Sequence, residues 1–90
     1  MSKTKYIVFK DDNNEEIVIF GCTQIHSDIA DMMRLDKDDI VSAGFVSVFI
    51  DSNDKIVVHC YGKSDSLGVD ARIKEDTFLA KFALDPNDIW

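Results

Sequence analysis

Basic residues are scarce in this chain, proline nearly absent and cysteine thin, and each shortage removes a class of function. Ten lysines and arginines stand against seventeen aspartates and glutamates, a net charge of −7. Nine acidic against five basic residues up to position 45 give −4, and eight against five beyond it give −3, so the acid is spread and forms no tail. Nucleic-acid binding draws its affinity from lysine and arginine displacing counterions from phosphates. Direct binding of DNA or RNA is therefore not expected. An acidic surface of this size keeps a small domain soluble, and it also suits a basic groove on another protein. Pro86 and four glycines are the only backbone breakers, too few for a disordered or low-complexity linker. No run nears the roughly 20 apolar residues of a membrane span, and Met1 to Lys5 lead into an alternating run without the apolar segment and cleavage site of a secretory signal. Cys22 and Cys60, with no such signal, read as reduced, buried thiols. The expected home is the cytoplasm, with no membrane partner.

What the chain does contain suits one fold. At 90 residues and 46% apolar composition it can bury one core, about 60% of the surface that its unfolded form exposes. Residues 1–90 are read as a single α+β domain.

Tyr6 to Phe9 and Ile17 to Phe20 are rich in β-branched and aromatic residues, and Asp11 to Glu15 between them is a turn-forming cluster. This pattern predicts a hairpin. Ile25, Ile29, Met32 and Met33 recur at the spacing of one helical face, which predicts a short helix from about Ser27 to Leu35, with Ser27 as N-cap and the methionines filling the core beneath it or, alternatively, forming an adaptable contact surface. Asp36 to Asp39 break that pattern. Ile40 to Ile50 and Lys55 to Tyr61 then predict a second hairpin, in which Gly44 and Phe45 lie in a central strand and a charge would cost about 2–5 kcal/mol. Val69 to Ile73 suit an extended segment, and Phe78, Leu79, Phe82 and Ala83 mark a closing helix that ends near Asp85 and Pro86. The expected fold class is α+β: an antiparallel β-sheet of four to five strands with two short helices, in the order β-β-α-β-β-(β)-α, with the helices on one face. Strict alternation places Val41, Ala43, Phe45 and Phe49 on one side of the third strand and Ile40, Val46, Val48 and Ile50 on the other. Both faces are thus apolar, which calls for a curled sheet or for a second copy or partner against the uncovered face.

Few residues carry chemistry. Cys22, His26, His59 and Cys60 are the metal-prone set, but His59 and Cys60 are adjacent in a strand and point to opposite faces, so no metal site and no cofactor is expected. Gly62-Lys63-Ser64 resembles the end of a P-loop, but Val57 stands where that motif needs glycine. The small polar loop Gly62 to Gly68 remains, and Lys63, Ser64, Ser66 and Arg72 are its candidate ligand-binding residues, for a phosphate or nucleotide-like group. Ser64 or Ser66 beside His26 or His59 would be needed for a hydrolase, and no nucleophile elbow flanks them. The chain is not expected to be an enzyme, and no catalytic residue is assigned. Trp90 is read as packed back onto the domain or offered to a partner.

The segments Val41-Ser-Ala-Gly-Phe45, Cys60-Tyr-Gly-Lys-Ser-Asp-Ser-Leu-Gly68 and Ala71-Arg-Ile-Lys-Glu-Asp76, with Lys5 to Phe9 and His26 to Ala30, resemble small uncharacterised proteins encoded by phages and prophages. The resemblance implies a host-cell cytoplasm and an accessory protein acting by protein contact, inhibiting a host or anti-phage defence component. A host or phage protein and further copies of the chain are the implied partners. A small-molecule (nucleotide-like) binding or sequestering module and a structural virion component are the alternatives.

Overall fold

The computed structural model describes residues 4–21 and 23–84. Cys22, Trp90 and the expected helix end at Asp85 and Pro86 lie outside them. β1 (Thr4–Asp11) and β2 (Asn14–Gly21) close on a two-residue loop, where Asp12 takes the positive φ of 58° that a tight hairpin demands. Helix α1 (His26–Met32) and a 3₁₀ turn (Lys37–Asp39) lead to β3 (Ile40–Ile50), which returns through β4 (Ile56–Tyr61). The two-residue strands β5 (Lys63–Ser64) and β6 (Val69–Asp70) form a separate small hairpin before α2 (Ile73–Leu84). The main sheet is antiparallel in the order β2-β1-β3-β4, so the expected α+β class holds and β3 is central.

The helices do not share a face, contrary to the sequence expectation. Adjacent residues in a strand point oppositely, and Tyr6 and Val8 pack with Val46, Val58, Cys60 and Ala80 of α2, whereas Ile7 packs with Ala43 and Ala30 of α1. Leu67 and Val69, from the small hairpin, join the α1 side. One helix per face, with the β5–β6 hairpin beside α1, is how so short a chain buries a sheet apolar on both sides. Strict alternation also fails at one point. The pairing of β1 with β3 shifts between Val8 and Phe9, and this bulge sends Val41 to the α2 side and Ile40 to the α1 side, the reverse of the expected placement.

The first helix is shorter than Ser27 to Leu35. Its N-cap is Ile25, with no side-chain cap, so Ser27 does not cap it. It ends because Arg34 takes a φ of 57° while the Arg34 and Leu35 amides donate to the carbonyls of Asp31 and Ala30 at 3.1 and 2.9 Å. This is the Schellman pattern, and Leu35 completes it by packing on Ala30. The buried side of α1 carries His26 and Ala30, whereas Ile25, Met32 and Met33 are exposed. The expected methionine face points outward because small Ala30 is what lets the helix lie close to the sheet.

Beneath α2 sits a buried polar cluster. Asp76 has no exposure. Its carboxylate accepts from the Tyr6 hydroxyl at 2.6 Å, the Ser42 hydroxyl at 2.9 Å, the Arg72 backbone amide at 2.8 Å and the Arg72 guanidinium at 3.0 and 3.1 Å. Arg72 also reaches Glu15 of β2 at 2.9 and 3.2 Å and holds that carboxyl below its usual range. Burial, then the Asp76 carboxylate, pushes the Tyr6 phenol far upward, and burial pushes the free Cys60 thiol up to about 11, so both stay protonated. The Thr77 hydroxyl accepts from the Cys60 amide on the outer edge of β4 at 3.0 Å.

Gly44 is crowded by the chain on either side of the small hairpin. A Cβ built there would stand 2.5 Å from the Tyr61 carbonyl oxygen and 3.2 Å from the Ala71 Cβ, and neither backbone can retreat without moving the sheet. Gly44→Ala is expected to lower unfolding free energy by about 1–3 kcal/mol in urea denaturation. An unchanged midpoint would mean that the small hairpin is loosely docked.

Candidate functional site

A concave feature that holds two of the four nominated ligand residues lies on the α1 side, where the loop before α1, the middle of β3 and the β4–β5 corner meet. It is a cleft of about 430 Å³, with Lys5, Ile25, His26, Phe45, Lys63 and Ser66 in its walls. Each wall follows from local structure. Lys5 projects on the same face as Ile7, two residues away in β1, and its ammonium donates to the Gln24 carbonyl at 2.8 Å. Gly62, at a φ of 80°, reverses the chain after β4 and brings Lys63 to the rim. There the Lys63 ammonium pairs loosely with Asp65 at 3.6 Å, both groups well exposed. Such a pair is worth little and parts easily for another anion.

His26 forms the floor. It is only 4% exposed, its Nε2 lies 2.9 Å from the Gly44 carbonyl, and its ring meets Phe20 and Phe45 edge-on at 5.4 and 6.0 Å. A carbonyl can only accept, so Nε2 carries the proton and Nδ1 keeps a lone pair. From Phe45 the rings continue outward, with Tyr61 stacked on Phe45 at 5.8 Å and His59 on Tyr61 at 5.9 Å. The cleft therefore offers two ammonium groups, with the Asp65 carboxylate beside that of Lys63, and an aromatic wall, a set suited to a small planar anion that displaces Asp65.

The four nominated ligand residues are not brought together. Lys63 and Ser66 line the cleft. Ser64 is buried, its hydroxyl accepting from the Leu67 amide at 3.2 Å and lying 3.4 Å from that of Ser66, so it holds the loop in shape. Arg72 is engaged by Glu15 and Asp76 on the opposite face. The Ser66 hydroxyl accepts from the Ser27 amide at 3.1 Å, tying the loop to α1. Of the metal-prone set, His59 is exposed and Cys60 is buried, on opposite faces of β4, and no group of three such side chains gathers among the described residues. Sequence reasoning missed Lys5, whose role depends on the loop before α1 folding back, and the Asp76 cluster, whose one sequence signal is an acidic residue four positions before Ala80 on the buried stripe of α2.

No family model, no curated protein and no solved structure matches the chain.

His26 gives the cleft a measurable property. Burial outweighs the hydrogen bond to Gly44 and lowers its pKa from the ordinary 6.5. The unfolded chain then binds that proton more readily, so this group removes stability as pH falls below 6.5 toward the folded value. An NMR titration of the His26 ring is expected to give a midpoint below 6.5, and a midpoint above it would place the imidazole in water or beside a carboxylate.

Proposed function

We propose that this chain is a small acidic phage accessory protein that works by protein contact, binding and inhibiting a host or anti-phage defence component in the host-cell cytoplasm. The observation that carries the reading is the outer end of the β3–β4 ribbon. Among the described residues β1 reaches β3 only as far as Val46, and beyond it Val48, Phe49 and Ile50 are 48%, 54% and 68% exposed. Three successive apolar side chains alternate across the ribbon, so both of its faces are sticky. Apolar surface of this kind on a small domain marks a contact site, and at about 25 cal/mol per Å² its burial supplies the main drive for association. The net charge of −7 supports a partner with a basic rim, since opposite charge speeds encounter and rejects acidic competitors. The phage context rests on the sequence resemblance.

A second reading, sequestration of a nucleotide-like small molecule, draws on the cleft. Lys5 and Lys63 would meet its phosphate, Ser66 would add a hydroxyl, and Phe45 would pack against its ring. Arg72, committed to carboxylates on the other face, would take no part.

Affinity capture from a bacterial lysate separates the two. The tagged chain is expected to retain one host protein in stoichiometric amount, and a Phe49→Glu/Ile50→Glu variant that keeps its circular dichroism spectrum is expected to lose it at least about tenfold. Retention by the double variant would move the contact elsewhere. Recovery of the chain with a released small molecule, lost on Lys63→Ala, would favour sequestration.

A further inference from the structure

Among the described residues β2 is an edge strand of the main sheet, and its only charges, Glu15 and Glu16, stand at one end. Natural edges are kept short, bulged, or furnished with lysine or proline. β2 runs for eight residues, Asn-Glu-Glu-Ile-Val-Ile-Phe-Gly, and every one of them stays in register with β1. Ile17 and Ile19 belong to the apolar cluster on the α2 side, Val18 and Phe20 to that on the α1 side, and all four remain half-exposed. The hairpin closes on the Asp11–Asn14 pair. In a two-residue hairpin that pair exchanges both its hydrogen bonds. Pairing then alternates along the strand, so the backbone groups of Glu15, Ile17, Ile19 and Gly21 point away from β1.

We propose that β2 pairs antiparallel with β2 of a second copy across a twofold axis at Val18, joining two four-stranded sheets into one of eight strands. The outward-pointing residues match one another in this register alone over the full length of the edge. Glu15 meets Gly21, Ile17 meets Ile19, and Val18 meets its own counterpart, which gives about eight intermolecular backbone hydrogen bonds. The axis stands perpendicular to the sheet, so each apolar face continues into its equivalent.

The acidic residues of the edge do not oppose this pairing. Glu16 falls opposite Phe20 of the other copy, and Lys5 lies beside Phe20 on the same face. The two Glu16 side chains stand four positions apart, about 13 Å at the strand rise. That exceeds the screening length of about 8 Å at physiological salt, so their repulsion is weak. On the α2 side Phe78 and Phe82, 66% and 44% exposed, flank the groove over Glu15–Ile17. The Gly21 of the second copy would arrive there without a side chain, and nothing stands within 4 Å of where its Cβ would be.

Two measurements on the full chain test this. Sedimentation equilibrium at about 100 μM is expected to give twice the chain mass of 10.2 kDa. In a Cys22→Ser background, Val18→Cys is expected to form an intermolecular disulfide on mild oxidation, because the axis pair has Cα atoms about 4.5 Å apart, while Ile17→Cys, offset from the axis, does not. A monomer at that concentration overturns the proposal. So does a dimer in which folded Val18→Cys fails to cross-link or Ile17→Cys cross-links equally, and if Val18→Cys does not fold, the wild-type mass with the Ile17→Cys control decides.

Discussion

A carboxylate with no exposure to water must have its charge matched where it sits, and Asp76 draws the groups that do this from separate parts of the chain. Its acceptors are filled by Tyr6 from β1, Ser42 from β3 and the backbone and guanidinium of Arg72. Arg72 is in turn held by Glu15 of β2. Three strands and the start of α2 therefore meet at one group, and no buried side-chain polar atom among the described residues lacks a partner. Charge burial of this kind adds little net stability against an apolar replacement of the same shape, but losing one partner leaves an uncompensated group in a low-dielectric core. Its effect is to fix the register of α2 on the sheet, which a cluster of small apolar contacts such as Ala80 would leave loose.

The other face is fixed by a lighter device. His26 reaches the Gly44 carbonyl, and Ser66 ties the small hairpin to α1, so the short helix is positioned by two hydrogen bonds and by Ala30 and Ile29 lying on Ile7 and Ala43. The cleft exists because these anchors hold α1 and the β4–β5 corner apart over Phe45. Fold and candidate site thus share residues. Gly44 admits the hairpin, accepts from His26 and sits two positions from Ser42 in the Asp76 cluster, which makes the middle of β3 the point where both faces are registered.

Periodicity made most of the architecture legible. The hairpins, the extent of the third strand and the two helices follow from alternation and from the 3.6-residue repeat. What alternation cannot show is where it is interrupted, and the bulge near Val8 exchanged the faces of Ile40 and Val41. Of Ile25, Ile29, Met32 and Met33, which suggested a core stripe, Ile29 packs on the sheet beside His26 and Ala30 while the other three are exposed, because close approach of helix and sheet selects small side chains that hydropathy ranks low. The placement of both helices on one face failed for a related reason: an apolar pattern on each side of a strand shows that both sides are covered and leaves open by what. Lys63 and Ser66 were found from their loop. Arg72 was found too, but its partners lie 57 residues away in Glu15 and four away in Asp76, and no local motif distinguishes a phosphate-binding arginine from one already paired.

Urea denaturation of the wild type beside Asp76→Ala, Tyr6→Phe and Ser42→Ala tests the role of the buried carboxylate most directly. Asp76→Ala is expected to cost about 3–5 kcal/mol, well above the roughly 1 kcal/mol expected for either hydroxyl variant, and neither hydroxyl removal is expected to add its full cost once Asp76 is gone. An Asp76→Ala midpoint within about 1 kcal/mol of the wild type, with hydroxyl variants strictly additive to it, would show that α2 is held by apolar packing and that the cluster is incidental.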